Sequence, residues 1–493
     1  MLAVDVIVPD RHPRGWHKAL IERLQRAGHD VAIVRQPANA WPLLISQALA
    51  LERMALRRRE AALAMILPEI VASPKARPAD LRLDLSGASP PSTVPTLELR
   101  FDGGRSEAGS LGALARGDLP IIGALLDGRM VGYAAPMIDT PQSIALAAED
   151  VLARAITLAV AVIDAFEQGR LAELEPGPVS TDPGGNGALA FAASYFGSAL
   201  PRLGKEVVRR ARFRQAHWRV GFRFIDGPGV AETGGLGTGW SVLGDDGSRF
   251  YADPFAVAFG SRHFIFVEDY PHATGKAVIS VVEFDERRRP AAPRPVLEEP
   301  WHLSYPQVFE REGSMWMLPE ASDSGKLTLY RAEHFPDRWG AEKILIEGRQ
   351  ISDATLVEHG GRLWLLATER DGYGSTSDTL VAFEAPSLFG PWMPHRGNPI
   401  LIDRRRARPG GAVTRHAGKM LLPVQDGTLG YGGGLGLSVI EALDERVVRL
   451  AEPRPISSAG DWPYAKIHTL NRAGSLEVID GIAAVRKRSR GGQ

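Results

Sequence analysis

The second half of the chain repeats one phrase: an apolar run, a tight turn carrying glycine, then a second apolar run rich in aromatic and branched residues. It spans 253–268, 305–320 and 353–368, recurs more loosely at 408–425, and returns as a shorter echo between His468 and Asp480. Two such runs about a glycine turn are a β-hairpin signature. The copies begin about 50 residues apart, the period of a propeller blade and not of a helical solenoid. The spacing predicts five hairpin-based sheets set around an axis.

In the first three copies, fifteen positions separate the polar residue opening strand one from the residue closing strand two. Both positions fall at the same end of an antiparallel ladder. Asp253 is therefore expected near Glu268, Tyr305 near Glu320, and Asp353 near Thr368. Set in a ring, these pairs converge with Arg408, Gln425 and His468 on one mouth of the channel. Such a rim outlines a site for a polar ligand, although each of these groups suits strand capping and blade-to-blade ties equally well. Trp316 and Trp364 lie within strands and are expected in the core.

Composition narrows the classes. A chain of 493 residues exceeds one ordinary core and predicts two or three domains. Lys plus Arg equals Asp plus Glu at 58 each, so no global field favours a nucleic-acid partner. With no cysteine, a disulfide framework, a zinc ribbon or a thiol nucleophile is impossible. The first residues lack a signal-peptide pattern, and no apolar run is long enough for a membrane span. A soluble cytoplasmic protein is the expectation.

The first 175 residues have a different texture. A strand at 4–8, a helix at 16–27 ended by Gly28 and a strand at 31–34 make a β-α-β opening, the start of a parallel sheet covered by helices. A helix is expected over 41–65 and a strand over 81–85. Thr140 and Pro141 read as the N-cap and first residue of an Ala-rich helix running to about Phe166. The Pro/Gly-dense stretch within 176–211 predicts a linker, with a bridging helix from Ala188. The propeller then occupies 212–487, and eight of the ten tryptophans lie in it. A strand at 213–224 precedes the first copy while the fifth copy is short. That strand is expected to complete the last blade and remove an exposed edge.

Ala252-Asp253-Pro254-Phe255 resembles the first-blade motif of five-bladed propeller glycosidases of the arabinanase and xylosidase type. The runs 302–306, 318–322, 329–332 and 335–339, with Asp353-Ala354-Thr355 and Arg408-Pro409, resemble a bacterial propeller family. That family is similar to the N-terminal region of plant glucosamine inositolphosphorylceramide transferases, and the resemblance covers about residues 212–485. Bacterial members often carry a preceding formyltransferase-like, Rossmann-like α/β domain, and residues 1–170 look like a diverged version.

The glycosidase resemblance implies Asp253 as base or nucleophile, Asp353 as the tuning carboxylate, and Glu320 or Glu268 as general acid. The expected order across three blades is Asp, Asp, Glu; here Tyr305 stands at the second position. His302, Tyr305, Arg408, Gln425, Asp426 and His468 suit hydrogen bonding to sugar hydroxyls or phosphate. The first domain lacks the His-x-Ser-Leu-Leu-Pro stretch of folate-dependent formyltransferases, GxGxxG and GxxxxGK[ST]. The cofactor is left unknown and no metal site is expected. Three functions remain open: an enzyme acting on a glycan or glycoconjugate, a non-catalytic glycan-binding or assembly module, and a group transferase on a nucleotide sugar. The expected ligand is a glycan, a glycolipid or a nucleotide sugar.

Overall fold

The apolar run Ala3–Pro9 (β1) is buried along nearly its whole length, as a strand covered on both faces must be. The computed structural model describes residues 1–37, 41, 43–56, 62–73, 77–88, 92–178, 188–214 and 216–487. They divide into two compact units, Met1–Val208 with Gly372–Ser375 and Leu401–Asp403, and Arg209–Asp371 with Thr376–Ile400 and Arg404–Gln493.

In the first unit, β1 leads through α1 (Gly15–Arg26) to β2 (Asp30–Gln36), and the two strands pair in parallel. After α2 (Leu43–Leu56) come β3 (Leu81–Asp84), β4 (Thr96–Phe101), α3 (Ala108–Arg116), β5 (Ile122–Leu126), β6 (Arg129–Ala134) and α4 (Ile144–Glu167). The sheet order is β2-β1-β3-β4-β5-β6. Its first four strands are parallel, and β5 and β6 join antiparallel. The mostly parallel sheet therefore carries an antiparallel edge that the sequence pattern did not indicate. α4 is buried nearly all round, which explains its run of alanines: only small side chains let neighbouring elements approach on every side.

Two boundaries differ from expectation. α2 ends at Leu56, and residues 62–65 are not helical. α4 begins at Ile144 because Ser143, not Thr140, caps it, its hydroxyl accepting from Leu146 N–H at 3.3 Å. Part of the expected linker, 179–187, lies outside the described residues, and helices follow at Ala188–Ser194 and Leu200–Arg212.

The second unit is a five-bladed propeller. Blade one runs Arg249–Phe259, Arg262–Pro271, Val278–Glu283 and Arg294–Leu297; blades two, three and four follow over 304–347, 350–394 and 414–450. Neighbouring blades bury apolar seams between them. Phe264 and Phe266 of blade one meet Met317, Tyr330 and Trp339 of blade two, and Leu318 and Leu329 of blade two meet Leu365 and Phe383 of blade three. Trp316 and Trp364 are buried, as their strand positions predict.

Blade five closes the ring with strands from both ends of the unit, in the order Leu470–Ala473, Leu476–Ile482, Trp218–Phe224, Ser241–Val242. The early strand starts at Trp218, later than expected, and pairs antiparallel with its partner from Leu476↔Phe224 to Ile482↔Trp218. A buried ion pair fastens the join: Arg223 Nε and Nη2 both donate to Glu477 Oε2, at 2.9 and 2.6 Å. Glu477 Oε1 accepts from Val230 N–H.

Candidate functional site

The three equivalent positions Asp253, Tyr305 and Asp353 share a backbone conformation that non-glycine residues rarely adopt, with φ of 47°, 44° and 50°. Each sits where the ladder skips, between Ala252 and Phe255, Ser304 and Gln307, and Ser352 and Thr355. The ladder partners are consequently Ala252↔Glu268, Ser304↔Glu320 and Ser352↔Thr368, one residue earlier than the fifteen-position spacing implied. The bulge lifts the next side chain out of the strand's alternation. Such backbone costs on the order of 1–3 kcal/mol per residue and persists only where neighbours hold it.

Those neighbours lie on adjoining blades. Asp253 Oδ2 accepts from Tyr305 N–H at 3.3 Å, and Glu320 Oε2 accepts from Asp353 N–H at 3.3 Å. Asp480 Oδ2 accepts from Asp253 N–H at 3.2 Å. The Tyr305 hydroxyl lies 2.9 Å from Thr355 Oγ1 and accepts from Gly411 N–H at 2.6 Å. Tyr305 is fully buried, so it ties blades together.

Two cations sit among five carboxylates. Arg408 grips Asp353 with two bonds, Nε to Oδ2 at 2.6 Å and Nη2 to Oδ1 at 3.1 Å, and reaches Glu320 Oε2 at 3.4 Å. Gln425 Nε2 donates to Asp353 Oδ2 at 2.9 Å. His468 is clamped between acids, with Nε2 3.0 Å from Asp253 Oδ1 and Nδ1 2.8 Å from Asp480 Oδ2. Glu268 faces His302 Nε2 at 3.4 Å. All of these residues except Glu320 and His302 are buried, and those two are partly open.

The electrostatics separate the carboxylates. Burial alone would raise Asp253, but the charge and hydrogen bond of His468, together with the Arg408 charge and the Tyr305 N–H, outweigh it and hold the group below its usual value. Burial, reinforced by the Asp253 charge, pushes Glu268 well above its usual value. Burial works against a charge on His468, yet Asp480 and Asp253 raise it to about 10. Burial lowers His302.

Asp253, His468 and Asp480 offer ligand atoms all within 4.8 Å of one another, a spacing a metal ion could use. With a carboxylate at each ring nitrogen, an imidazolium completes the arrangement by itself. No metal is needed to explain it.

Of the residues singled out in the sequence, Asp253, Glu268, His302, Tyr305, Glu320, Asp353, Arg408, Gln425 and His468 join this network. Asp426 does not: its carboxylate accepts from Thr428 N–H at 2.9 Å and caps a short helix at Gly427–Leu429. Two members were missed. Asp480 closes strand two of the fifth copy, the place of Glu268 and Glu320 in theirs, so the repeat itself pointed to it. Tyr431, 47% exposed, lies with its ring 5.3 Å from the Arg408 guanidinium carbon and edge-on to Trp218. It sits in a glycine-rich loop with no periodic signal.

A family model described as "Glucosamine inositolphosphorylceramide transferase 1, N-terminal" matches residues 241–468. The matched region lies within the propeller. Glucosamine inositolphosphorylceramide transferase 1 of Arabidopsis thaliana is 34% identical over 209 residues, covering 42% of this chain and 27% of that protein. Its Oryza sativa subsp. japonica namesake is 32% identical over 313 residues, covering 61% of this chain and 40% of that protein. The chain thus spans well under half the length of these relatives. Among solved structures, the catalytic domain of a Coprinopsis cinerea alpha-L-arabinofuranosidase aligns with a TM-score of 0.37 at 14% identity, over 51% of this chain and 89% of that one. A Cellvibrio cellulosa alpha-L-arabinanase aligns with a TM-score of 0.32 at 16% identity, over 42% and 78%. Among the described residues, no helix is long and apolar enough to cross a membrane.

Proposed function

We propose that the propeller mouth receives the sugar portion of a glycoconjugate, a glycolipid headgroup or a nucleotide sugar, and carries acid–base chemistry at its glycosidic or glycosyl-phosphate bond. One observation carries this: two neighbouring carboxylates are pushed in opposite directions, Asp253 down and Glu268 up. Breaking such a bond takes one carboxyl that keeps its proton for the leaving oxygen and one that is ionised to activate the attacking group. Glu268, buried beside His302, is the proton donor in this proposal, and Asp253, held ionised by His468, is the base. Of the two candidate acids Glu268 takes the role over Glu320, whose two oxygens already accept from Ser322, Ser352, Asp353 and Arg408. Tyr431 at the opening suits the ring portion of such a ligand. The likeness of residues 241–468 to a family named for a glycolipid transferase supports the ligand class.

A second possibility, recognition without turnover, draws on the closed Arg408–Asp353 pair, which leaves Asp353 no free oxygen for chemistry. Asp253→Asn and Glu268→Gln separate the two. Both keep shape and change only charge. Assayed for turnover of a panel of oligosaccharides, nucleotide sugars and inositol-phosphate glycolipids, each should lose about 10²–10⁴-fold in rate, the scale of one proton-transfer group. Wild-type protein that binds a panel member by calorimetry but never converts it would leave recognition as the function.

A further inference from the structure

We infer that the first unit carries an anion site of its own, in the crevice beyond the carboxyl ends of β1 and β3, which takes the phosphoryl group of a phosphorylated small molecule. This goes beyond the proposal for the propeller and does not depend on it.

The chain leaves β1 for β2 on one side and later returns to β3 on the other, so neighbouring strands diverge in connection there. Open α/β sheets leave a crevice at such a switch point, outside the strand ends. Here the crevice holds a cavity of about 60 Å³, bordered by Arg11, His12, Arg14 and His17 after β1, by Ser86 and Gly87 after β3, and by Arg105. That is the space of about two waters, which suits a single phosphoryl group and leaves the rest of the ligand outside.

The lining is cationic, and part of it is uncommitted. Arg11 and His12 are exposed, and neither side chain has a bonding partner among the described residues. His12 holds a strained backbone, φ 58°. Arg105 is half exposed, with only long contacts, 3.4 Å to Gly87 O and 3.9 Å to Glu98. Deeper in, Arg14 stacks 3.2 Å over the Trp41 ring.

The helix terminus does not supply the donors, since the first N–H groups of α1 already bond to Met65, Leu63 and Arg14 carbonyls. A side chain does. His17 is 1% exposed, its Nδ1 accepts from Arg14 N–H at 3.0 Å, and its Nε2 has no hydrogen-bond partner. With Nδ1 accepting, Nε2 carries a hydrogen, a buried donor at the cavity wall. Among the described residues of the wall the one acid is Glu107, which lies 3.6 Å from that Nε2 and is committed to two indole N–H groups, Trp16 at 2.7 Å and Trp41 at 3.0 Å.

The test uses the full chain, with inorganic phosphate, pyrophosphate and uridine diphosphate as probes in phosphorus NMR and calorimetry. Phosphate or pyrophosphate should bind saturably, and more weakly as salt rises. The double variant Arg11→Ala, Arg105→Ala touches only exposed side chains, so it should fold normally and bind at least about tenfold more weakly. Glu268→Gln, in the other unit, should bind as wild type does. Absence of saturable phosphate and pyrophosphate binding, or equal binding by the double variant, overturns the proposal. Uridine diphosphate binding without pyrophosphate binding also overturns it, because recognition would then run through the base.

Discussion

The Tyr305 hydroxyl serves three blades at once, touching Thr355 and accepting from the buried Gly411 N–H. Tyr305→Phe leaves that N–H without a partner, and a denaturant titration should show a loss of about 1–3 kcal/mol; no loss would mean that water fills the gap. His468 makes a prediction about pH. Its pKa is about 10 in the folded protein and about 6.5 in an unfolded chain. A raised cationic group contributes stability that is complete below the unfolded value and lost as pH climbs through the folded one. The melting temperature should therefore decline between pH of about 6.5 and 10. His468→Gln should start lower and decline less; parallel curves would refute the assignment. The identities of most rim residues could be read from the repeat, because a hairpin's ends are fixed by local spacing. Their charge states could not. Asp253 and Asp480 are 227 positions apart, and only the closed ring brings them together.

Among the elements, the early strand of blade five has the least slack. Gly221 has no side chain where a Cβ would meet the Trp462 ring at 2.6 and 2.8 Å and Ile479 at 3.0 Å. Gly221→Ala should cost about 1–3 kcal/mol through forced repacking, read as a lower melting temperature. An unchanged melt would show that Trp462 swings aside freely. The strand was legible as an alternating apolar run, and the incompleteness of the fifth copy named its partner. The helix caps were less so. Thr140 followed by proline and Ser143 are both good N-terminal signals locally, and the choice fell to Ser143, whose hydroxyl also donates to Glu52 Oε2 at 2.7 Å. That partner lies on another helix, out of reach of any local pattern.

At the scale of the propeller, Arg408 offsets a surplus of buried acid. Arg408→Met removes one of two cations facing Asp253, Glu268, Glu320, Asp353 and Asp480. Stranding buried charge in this way costs about 3–5 kcal/mol at neutral pH. The loss should shrink on acidification as the carboxylates take up protons, so melts of the variant and wild type should converge toward low pH. A constant gap would show that Arg408 acts through packing alone. The blade count and ring closure followed from one period in the sequence. The mixed edge of the first sheet did not, because β5 and β6 are short and their antiparallel pairing depends on a neighbour already in place.

The clasp between Arg223 and Glu477 also sets a clock on synthesis. Its halves are 254 residues apart in the chain. At ribosomal speeds of about 5–20 residues per second, the first half waits roughly 10–50 seconds for the second to be made. During that interval Trp218–Phe224 lacks its long partner strand and has only the short Ser241–Val242 to pair with, while carrying Trp218, Val220 and Phe222 that are buried once the ring is shut. Half-paired strands of this kind are what holding chaperones bind and what drives nascent chains to stick to one another. The same join that leaves the finished ring without a seam makes the half-made chain dependent on protection, and growth at higher temperature should tax its yield before it taxes its stability.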